Sequence, residues 1–311
     1  MERFQRPQII RPPSESRSYF LPLTSGCSNN TCAFCSYYGS KLRLRELADI
    51  KSEIDALALY KDKSVYLPGR PDVICEIARN WDGKRIFLQD GDALVYPLEK
   101  LVPALEYISE KLPYVERIAA YATCQDILRI VPEDLRRLKE LKLAILYIGL
   151  ESGDDEILQK IGKGVDSRQM VQAAVRVKAA GIKTSVTVIL GLGGTGGSER
   201  HVIETSAVLN RMDPDFAGAL TLIMVPGTPF YQAWKSGSFV PISAFQSLRE
   251  LLALIKYSDF SNCLFSSMHA SNYFAVRGTL PQDKTNMTRK LEEMIRRQDP
   301  SSLRPEFLRG L

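Results

Sequence analysis

The stretch YFLPLTSGCSNNTCAFC occupies residues 19–35 and carries the pattern that decides the fold. Its first part, Tyr19–Leu23, is almost entirely apolar, which predicts a short buried β-strand. Cys27, Cys32 and Cys35 follow with the spacing C-x4-C-x2-C. Three thiolates so close in sequence can bind one metal centre, and a four-iron cluster held by three cysteines needs no fourth protein ligand. We therefore expect a metal site with one iron open to a small molecule.

A zinc knuckle is the alternative use of these thiols. Structural zinc sites take four Cys or His ligands, and the two histidines, His201 and His269, are both remote in sequence. Zinc binding would require the fold to bring one of these histidines next to the cysteine loop, so an iron–sulfur cluster is favoured. The other cysteines, Cys75, Cys124 and Cys263, are isolated, and Cys75 is expected to be a small buried hydrophobic residue.

The composition is that of an ordinary globular protein. Hydrophobic residues make up 45% and charged residues 25% of the 311 positions, which allows one large α/β domain or two small ones. The net charge of 41 − 36 = +5 does not indicate nucleic acid. Residues 1–7 lack the apolar core of a signal peptide, and no apolar run is long enough to span a bilayer. We expect a cytoplasmic protein whose thiols stay reduced.

Short apolar runs alternate with amphipathic stretches along most of the chain. The expected strands are Tyr19–Leu23, Arg85–Gln89, Arg117–Ala122, Ala144–Leu150, Thr184–Leu190 and Ala217–Val225. The expected helices between them are Glu46–Tyr60, Leu98–Lys111, Pro132–Glu140, Arg168–Ala180 and Glu199–Arg211. This alternation predicts βα units and a parallel sheet, hence an α/β fold of the partial (β/α)6 barrel type. In such a fold the C-terminal ends of the strands share one face, so the cysteine loop would lie there.

The last part of the chain has a different pattern. Helices are expected at Ile242–Tyr257 and Lys284–Arg297, with the less regular stretch Ser261–Pro281 between them. We expect residues 1–17 to form an N-terminal extension, residues 18–225 the barrel, and residues 226–311 a C-terminal α-rich extension. That extension is a candidate substrate cap.

The cysteine loop resembles the motif of the radical S-adenosylmethionine (radical SAM) superfamily. The motif has three cysteines after the first barrel strand, most often spaced C-x3-C-x2-C, with an aromatic residue before the third. Phe34 holds the aromatic position, and the first gap has one extra residue here. The resemblance implies a 4Fe–4S cluster on Cys27, Cys32 and Cys35, with SAM bound to the open iron. It covers approximately residues 18–225.

The second expected strand ends in Asp90-Gly91-Asp92. Glycine lets the backbone approach a ligand, and carboxylates can accept hydrogen bonds from an ammonium group. The superfamily has a glycine-rich segment at this place that holds the amino group of SAM, so the resemblance assigns Asp90, Gly91 and Asp92 to the SAM site. An ordinary turn capped by aspartate is the alternative.

The fourth expected strand gives the longest match, the segment 146–164 with sequence LYIGLESGDDEILQKIGKG. It resembles the subgroup that contains the Elongator catalytic subunit, the methylthiotransferases and the oxygen-independent coproporphyrinogen enzymes. The resemblance implies that Glu151 and Ser152 face SAM and that Lys163 meets its carboxylate. Glu151 could instead cap the next helix. After the fifth strand, Gly191 begins a glycine-rich turn that resembles the subgroup's adenine contact and lacks the register of a P-loop or dinucleotide motif.

The resemblance implies a reaction as well as a cofactor. A reduced cluster cleaves SAM to methionine and a 5′-deoxyadenosyl radical, which abstracts a hydrogen atom from a substrate. An electron donor such as flavodoxin or ferredoxin would be the partner. A non-catalytic iron–sulfur redox or sensor protein and a zinc-stabilised binding module are the alternatives.

Substrate-side residues are expected at the same face of the barrel. Cys124 follows the third strand and is either a catalytic thiol or a core cysteine. His269, Asn272 and Tyr273 lie in the less regular stretch and could serve as acid, base or cap, or belong to a surface loop. His201 is expected at the surface. The chain has no second cysteine cluster, which argues against a methylthiotransferase with an auxiliary cluster.

Overall fold

The computed structural model describes residues 4–63 and 72–310. Its strands are β1 (Tyr19–Pro22), β2 (Thr24–Ser25), β3 (Arg43–Leu44), β4 (Arg85–Gln89), β5 (Arg117–Tyr121), β6 (Leu143–Glu151), β7 (Lys183–Leu190), β8 (Phe216–Thr221), β9 (Cys263–Ser266) and β10 (Arg277–Leu280). Its helices are α1 (Leu47–Lys63), α2 (Asp72–Asn80), α3 (Leu98–Lys111), α4 (Cys124–Arg129), α5 (Pro132–Glu140), α6 (Asp155–Lys160), α7 (Ser167–Ala179), α8 (Gly194–Met212), α9 (Pro229–Lys235), α10 (Ala244–Tyr257) and α11 (Lys284–Arg297).

The chain divides into two units. The first comprises the described residues of Met1–Asn30, Gly39–Tyr147 and Arg176–Lys183, and the second comprises Thr31–Tyr38, Ile148–Val175 and the described part of Thr184–Leu311.

In the first unit the strands pair in the order β1-β4-β5-β6, and the pairs are parallel. Four of the five β4 residues are buried, as expected for a strand of a parallel sheet whose two faces are both covered. Phe87 of β4 packs edge-on against Tyr121 and Tyr147, with ring centroids 5.1 and 5.8 Å away. The core of this unit is therefore the parallel sheet that was expected from the apolar runs.

The expected N-terminal extension packs within the first unit. Glu15 is fully buried, and its carboxylate accepts hydrogen bonds from Arg117 at 2.7 Å and from the Tyr147 hydroxyl at 2.7 Å. A buried carboxylate is tolerated when it is paired in this way. Residues 1–3 of that segment, and residue 311 at the far end of the expected C-terminal extension, lie outside the described residues.

In the second unit the order is β6-β7-β8-β9-β10. β9 is parallel to β8, and β10 is antiparallel to β9. The less regular stretch 261–281 of the expected α-rich extension therefore contributes two strands, which the sequence pattern did not indicate. β9 alternates buried and half-buried residues, the pattern of a half-buried strand, but it has only four residues. β8 also ends at Thr221 rather than at Val225.

Most helices begin and end near their expected positions. α3, α5 and α11 coincide with the expected segments. α8 begins at Gly194 rather than at Glu199, so the glycine-rich run after β7 forms the first turn of this helix. α10 begins at a capping box in which Ser243 and Gln246 each bond the other's backbone, which explains its well-defined start.

Candidate active site

The loop that carries Cys32 and Cys35 is held at both sides by backbone hydrogen bonds of the second unit. The Ala33 N–H donates to the carbonyl oxygen of Ile161 at 2.8 Å, and the Ala33 carbonyl accepts from the Phe230 N–H at 3.0 Å. These bonds attach the loop to the end of α6 and the start of α9. Phe34, the expected aromatic position, is half-buried within it.

Gly162, the residue that precedes Lys163, allows the cysteine loop to approach it closely. Gly162 has φ +69°, and a Cβ at this position would lie 2.5 Å from the carbonyl oxygen of Thr31. The Thr31 hydroxyl donates to the Gly162 carbonyl at 2.8 Å. A larger residue at position 162 would meet backbone, so this close approach requires glycine.

Glu151 and Lys163 form an ion pair at the C-terminal end of β6. The Lys163 Nζ lies 3.0 Å from the Glu151 Oε1, and the two side chains are 10% and 12% exposed, respectively. Glu151 has φ +63°, a left-handed conformation that non-glycine residues rarely adopt. A Cβ on Gly149 would lie 2.0 Å from the Glu151 Oε1 and 3.1 Å from the Lys163 Nζ. Glycine at position 149 therefore leaves the space that the ion pair occupies.

The ion pair acts electrostatically on the two thiols of the second unit. Burial raises the pKa of Cys32, the Lys163 ammonium lowers it, and the Glu151 carboxylate raises it. Burial also raises the pKa of Cys35, and the same two charged groups act on it. Since the thiolate is the form that binds metal, a nearby ammonium favours metal binding by these cysteines.

Cys27 belongs to the first unit, where it lies beside the segment that follows β4. The Gly26 N–H donates to the Asp90 Oδ2 at 3.0 Å. A Cβ on Gly91 would lie 2.9 Å from the Cys27 Cβ and 3.1 Å from the Gly26 carbonyl oxygen. Gly91 is thus required for close packing against Cys27.

Asp92 is fully buried and bound by the first unit's own chain. Its Oδ2 accepts from the Ser28 hydroxyl at 2.9 Å and from the Thr123 hydroxyl at 2.8 Å, and its Oδ1 accepts from the Leu94 N–H at 2.8 Å. Burial, and then the neighbouring Asp126, raise the pKa of Asp92. The carboxylate therefore links the residue after Cys27 to Thr123, the residue that caps the start of α4.

Gly191 lies in the turn after β7, with φ +88°. Its N–H donates to the Glu250 Oε2 at 2.7 Å, and the Ser198 hydroxyl donates to the Glu250 Oε1 at 2.6 Å. Glu250 is 2% exposed and was not among the expected site residues. The sequence contained a signal, because residues 247, 250, 251 and 254 share the buried face of α10 and only one of them is charged.

His201 is buried, with 1% of its surface exposed, so the expectation that it lies at the surface is wrong. Its Nδ1 lies 2.8 Å from the Ser152 Oγ, and its Nε2 lies 3.1 Å from the Ile189 carbonyl oxygen. Burial lowers the pKa of His201 to about 4. The apolar face of α8 carries this histidine at the spacing of Thr205 and Leu209, which explains its burial.

The expected substrate-side residues occupy different surroundings. Cys124, in the first unit, is 1% exposed, which favours the core alternative for it. The half-buried His269 places its Nδ1 2.9 Å from the Ser271 Oγ. The buried Asn272 amide donates to two carbonyl oxygens of its own unit, each at 2.7 Å, and the Tyr273 hydroxyl donates to Glu306 at 2.7 Å.

The donor set, three cysteines with no histidine near them in sequence, suits the chemistry of an iron–sulfur cluster, because such a cluster needs no fourth protein ligand. Cys27, Cys32 and Cys35 are not joined in disulfides. Among residues 4–63 and 72–310, no group of three or more Cys, His, Asp or Glu side chains is arranged to hold a metal ion. The histidines that zinc would require are already bonded to Ser152 and Ser271. Cys75, expected to be buried, is half-buried.

Over the part of the chain that the structure describes, no helix is both long and apolar enough to cross a membrane.

Comparison with known proteins identifies a family for this chain. The model of the radical SAM superfamily matches residues 21–206. The chain is 26% identical over 224 residues to the tRNA-2-methylthio-N(6)-dimethylallyladenosine synthase of Nitrosospira multiformis, covering 70% of this chain and 44% of that protein. It is 21% identical over 203 residues to the heme chaperone HemW of Bacillus subtilis, covering 65% and 51%, respectively. The chain thus spans about half the length of these curated relatives, or less.

The fold comparison agrees with the expected architecture. Coproporphyrinogen III oxidase (HemN) from Escherichia coli, a radical SAM enzyme, superimposes with a TM-score of 0.54 at 14% identity, covering 77% of this chain and 51% of that one. The expectation of a radical SAM-type α/β fold with parallel strands is confirmed, and HemN comes from the subgroup that the strand-end motifs resemble. Because the family model matches more than half of the residues, the chain belongs to the radical SAM superfamily of enzymes.

Proposed function

We propose that this enzyme binds a single 4Fe–4S cluster through Cys27, Cys32 and Cys35 and cleaves SAM reductively. The observation that carries the proposal is the Glu151–Lys163 ion pair, which acts electrostatically on the thiols of Cys32 and Cys35. An ammonium that acts on two thiols of the proposed cluster site suits a ligand with a carboxylate, and the partner carboxylate of Glu151 holds that ammonium in place.

Lys163 is the group that we assign to the carboxylate of SAM. Its side chain is 10% exposed, and charges interact more strongly there than in bulk water. Glu151 lies within hydrogen-bond distance of the ammonium and therefore orients it before SAM binds. Lysine offers a point charge rather than the two-pronged guanidinium of arginine, so the position of the ammonium must be fixed by its neighbours.

When bound, the cluster supplies the electron that cleaves SAM and so gives a 5′-deoxyadenosyl radical. The role of the chain's own residues is to bind and orient the cluster and SAM. Gly91 permits close packing at Cys27, and Gly162 permits close packing of the other two cysteines' loop. Asp92 accepts a hydrogen bond from Ser28, the residue after Cys27, and so anchors the chain next to that cysteine.

The remaining contacts with SAM are assigned from the motif positions. We propose that Asp90 and Gly91 face the amino group, that Phe34 lines the cluster, and that Gly191 contacts the adenine. Ser152 follows Glu151 and is bonded to His201, so we assign it to positioning that strand end. A cytoplasmic flavodoxin or ferredoxin would supply the electron.

On the substrate side we propose His269 as the acid–base candidate. It is half-buried, and both burial and Arg304 lower its pKa, which favours the neutral ring. The Asn272 amide is engaged by its own unit, and Cys124 is buried. We assign these two to structure, and we propose that residues 226–311 pack as an extension of the core.

The test is anaerobic turnover. Protein reconstituted with iron and sulfide, reduced with dithionite and given SAM should release 5′-deoxyadenosine and methionine in equal amounts. Cys32→Ala should lose both the cluster and the products, whereas Cys263→Ala, outside the loop, should keep them. Absence of 5′-deoxyadenosine from protein with a fully loaded, reducible cluster would contradict the proposal and favour an electron-transfer or sensor role.

A further inference from the structure

The turn that follows β7 is held in place by the C-terminal extension. We call residues 191–198 the glycine turn and residues 239–250 the C-terminal clamp, and both belong to the second unit. The Thr195 N–H donates to the Val240 carbonyl oxygen at 3.0 Å. A Cβ on Gly194 would lie 2.8 Å from that same oxygen. The two backbones therefore approach more closely than any side chain at position 194 would allow.

Glu250 makes the polar contact at the start of the glycine turn. Its two carboxylate oxygens accept from the Gly191 N–H at 2.7 Å and from the Ser198 hydroxyl at 2.6 Å. Ile242, also in the C-terminal clamp, would lie 3.1 Å from a Cβ on Gly191. The clamp thus binds the first and last residues of the turn through a single carboxylate.

Stability alone does not account for an acid at this position. Burial raises the pKa of Glu250 to about 7, which shows that desolvation opposes its ionisation. The two donors are neutral groups, so they compensate only part of that cost. An apolar side chain would be easier to bury, but it would leave the Gly191 N–H without its partner. What the glutamate provides is therefore a fixed orientation of the Gly191 peptide.

We infer that Glu250 is a positioning residue for the adenosine half of SAM. This inference rests on the proposed function, in which Gly191 contacts the adenine and Lys163 contacts the carboxylate. Glu250 acts through the Gly191 peptide and touches no ligand itself. The C-terminal clamp is accordingly part of the SAM site as well as an extension of the fold.

The two ligand halves can be tested separately on the full-length protein with its cluster loaded. Dissociation constants for SAM, 5′-deoxyadenosine and methionine would be measured for Glu250→Ala, Glu250→Gln and Ser247→Ala. Ser247 is the matched control, because it lies on the same buried face of α10 but bonds Thr221 of β8. Glu250→Ala should weaken SAM and 5′-deoxyadenosine about tenfold, the loss expected for one hydrogen bond to a charged group, and leave methionine unchanged.

Glu250→Gln keeps one acceptor oxygen and should recover part of the affinity. In turnover, Glu250→Ala should raise the KM for SAM and leave kcat within a factor of about two, the signature of lost binding. Amide exchange of the peptide containing Gly191 should accelerate in Glu250→Ala and Glu250→Gln but not in Ser247→Ala. This exchange is a readout that does not depend on turnover.

Equal loss of methionine and 5′-deoxyadenosine affinity would overturn the inference, as would unchanged affinity in both Glu250 variants. If Glu250→Ala fails to fold, Glu250→Gln and Ser198→Ala still test the inference. Each of them removes one of the two hydrogen bonds that the Glu250 carboxylate accepts. If the wild-type protein with a loaded cluster binds neither SAM nor 5′-deoxyadenosine, the proposed function fails together with the inference. Wild-type binding with unaffected variants overturns the positioning role alone.

Discussion

The Nδ1 of His201 lies 2.8 Å from the Ser152 Oγ, and its Nε2 lies 3.1 Å from the Ile189 carbonyl oxygen. The carbonyl can only accept, so Nε2 carries the proton and Nδ1 accepts from the serine hydroxyl. One neutral imidazole therefore joins the end of β6 to the end of β7. These strand ends lead to Glu151 and Gly191, respectively, the two positions assigned to opposite halves of SAM.

Acid should weaken the fold through His201. Its pKa is about 4 in the folded protein and about 6.5 when unfolded, so the folded state binds fewer protons between these values. The stabilisation is fully present above pH 6.5 and is lost as the pH falls toward 4. We expect the free energy of unfolding to be about 2 kcal/mol lower at pH 5 than at pH 7 from this group. Urea unfolding at both pH values measures it.

His201→Gln should remove most of that pH dependence. His269→Gln is the matched control, because His269 is only half-buried and its variant should alter the dependence less. An unchanged slope between pH 7 and pH 5 in His201→Gln would show that other groups dominate.

Removing the Lys163 ammonium should affect both stability and ligand binding. Lys163→Met leaves the nearly buried Glu151 carboxylate without this partner, which costs about 1–3 kcal/mol. It also removes the cation assigned to the SAM carboxylate, so SAM should bind more than about tenfold more weakly. Lys163→Arg should retain part of the affinity. Lys160→Met, at an exposed position of α6, is the control, and an equal loss there would contradict the assignment.

Gly149→Ala should displace the ion pair more than it destabilises the fold. The added Cβ would lie 2.0 Å from the Glu151 Oε1, the mobile end of a side chain, so the carboxylate can move while the strand stays. We expect weaker SAM binding with a modest drop in melting temperature. Gly196→Ala faces open space in α8, and this control should be neutral or stabilising by about 0.5–1 kcal/mol. SAM affinity equal to wild type in Gly149→Ala would refute the role of this glycine.

Each loop cysteine should be necessary for the cluster. Cys27→Ala, Cys32→Ala and Cys35→Ala should each reconstitute with little iron and acid-labile sulfide, because three thiolates are the proposed ligand set. Cys75→Ser, at a half-buried position in α2, should load like the wild type. Iron and sulfide analysis with visible absorption measures this, and full loading of any loop variant would remove that cysteine from the ligand set.

Much of the core fold was predictable from local pattern. The parallel strands β1, β4, β5, β6 and β7 lie within a residue or two of the expected segments, because each is a short apolar run next to a helix-length amphipathic run. The strands β9 and β10 were missed because each has only four residues, although β9 pairs with β8 and β10, and β10 pairs with β9. Such short strands are defined by their pairing partners more than by a local pattern of residues.

By itself, the sequence determined the βα core, the thiols of the cysteine loop and the Glu151 and Lys163 positions, because these depend on spacing within short segments. Tertiary structure alone decided that His201 is buried, that Gly149 makes room for an ion pair, and that Glu250 binds the Gly191 amide. The physical reason is that burial and hydrogen bonding depend on partners brought together from distant segments, Glu250 and Gly191 being 59 positions apart. In the sequence, a polar side chain on an otherwise apolar helix face indicates that it has a buried hydrogen-bond partner elsewhere in the chain.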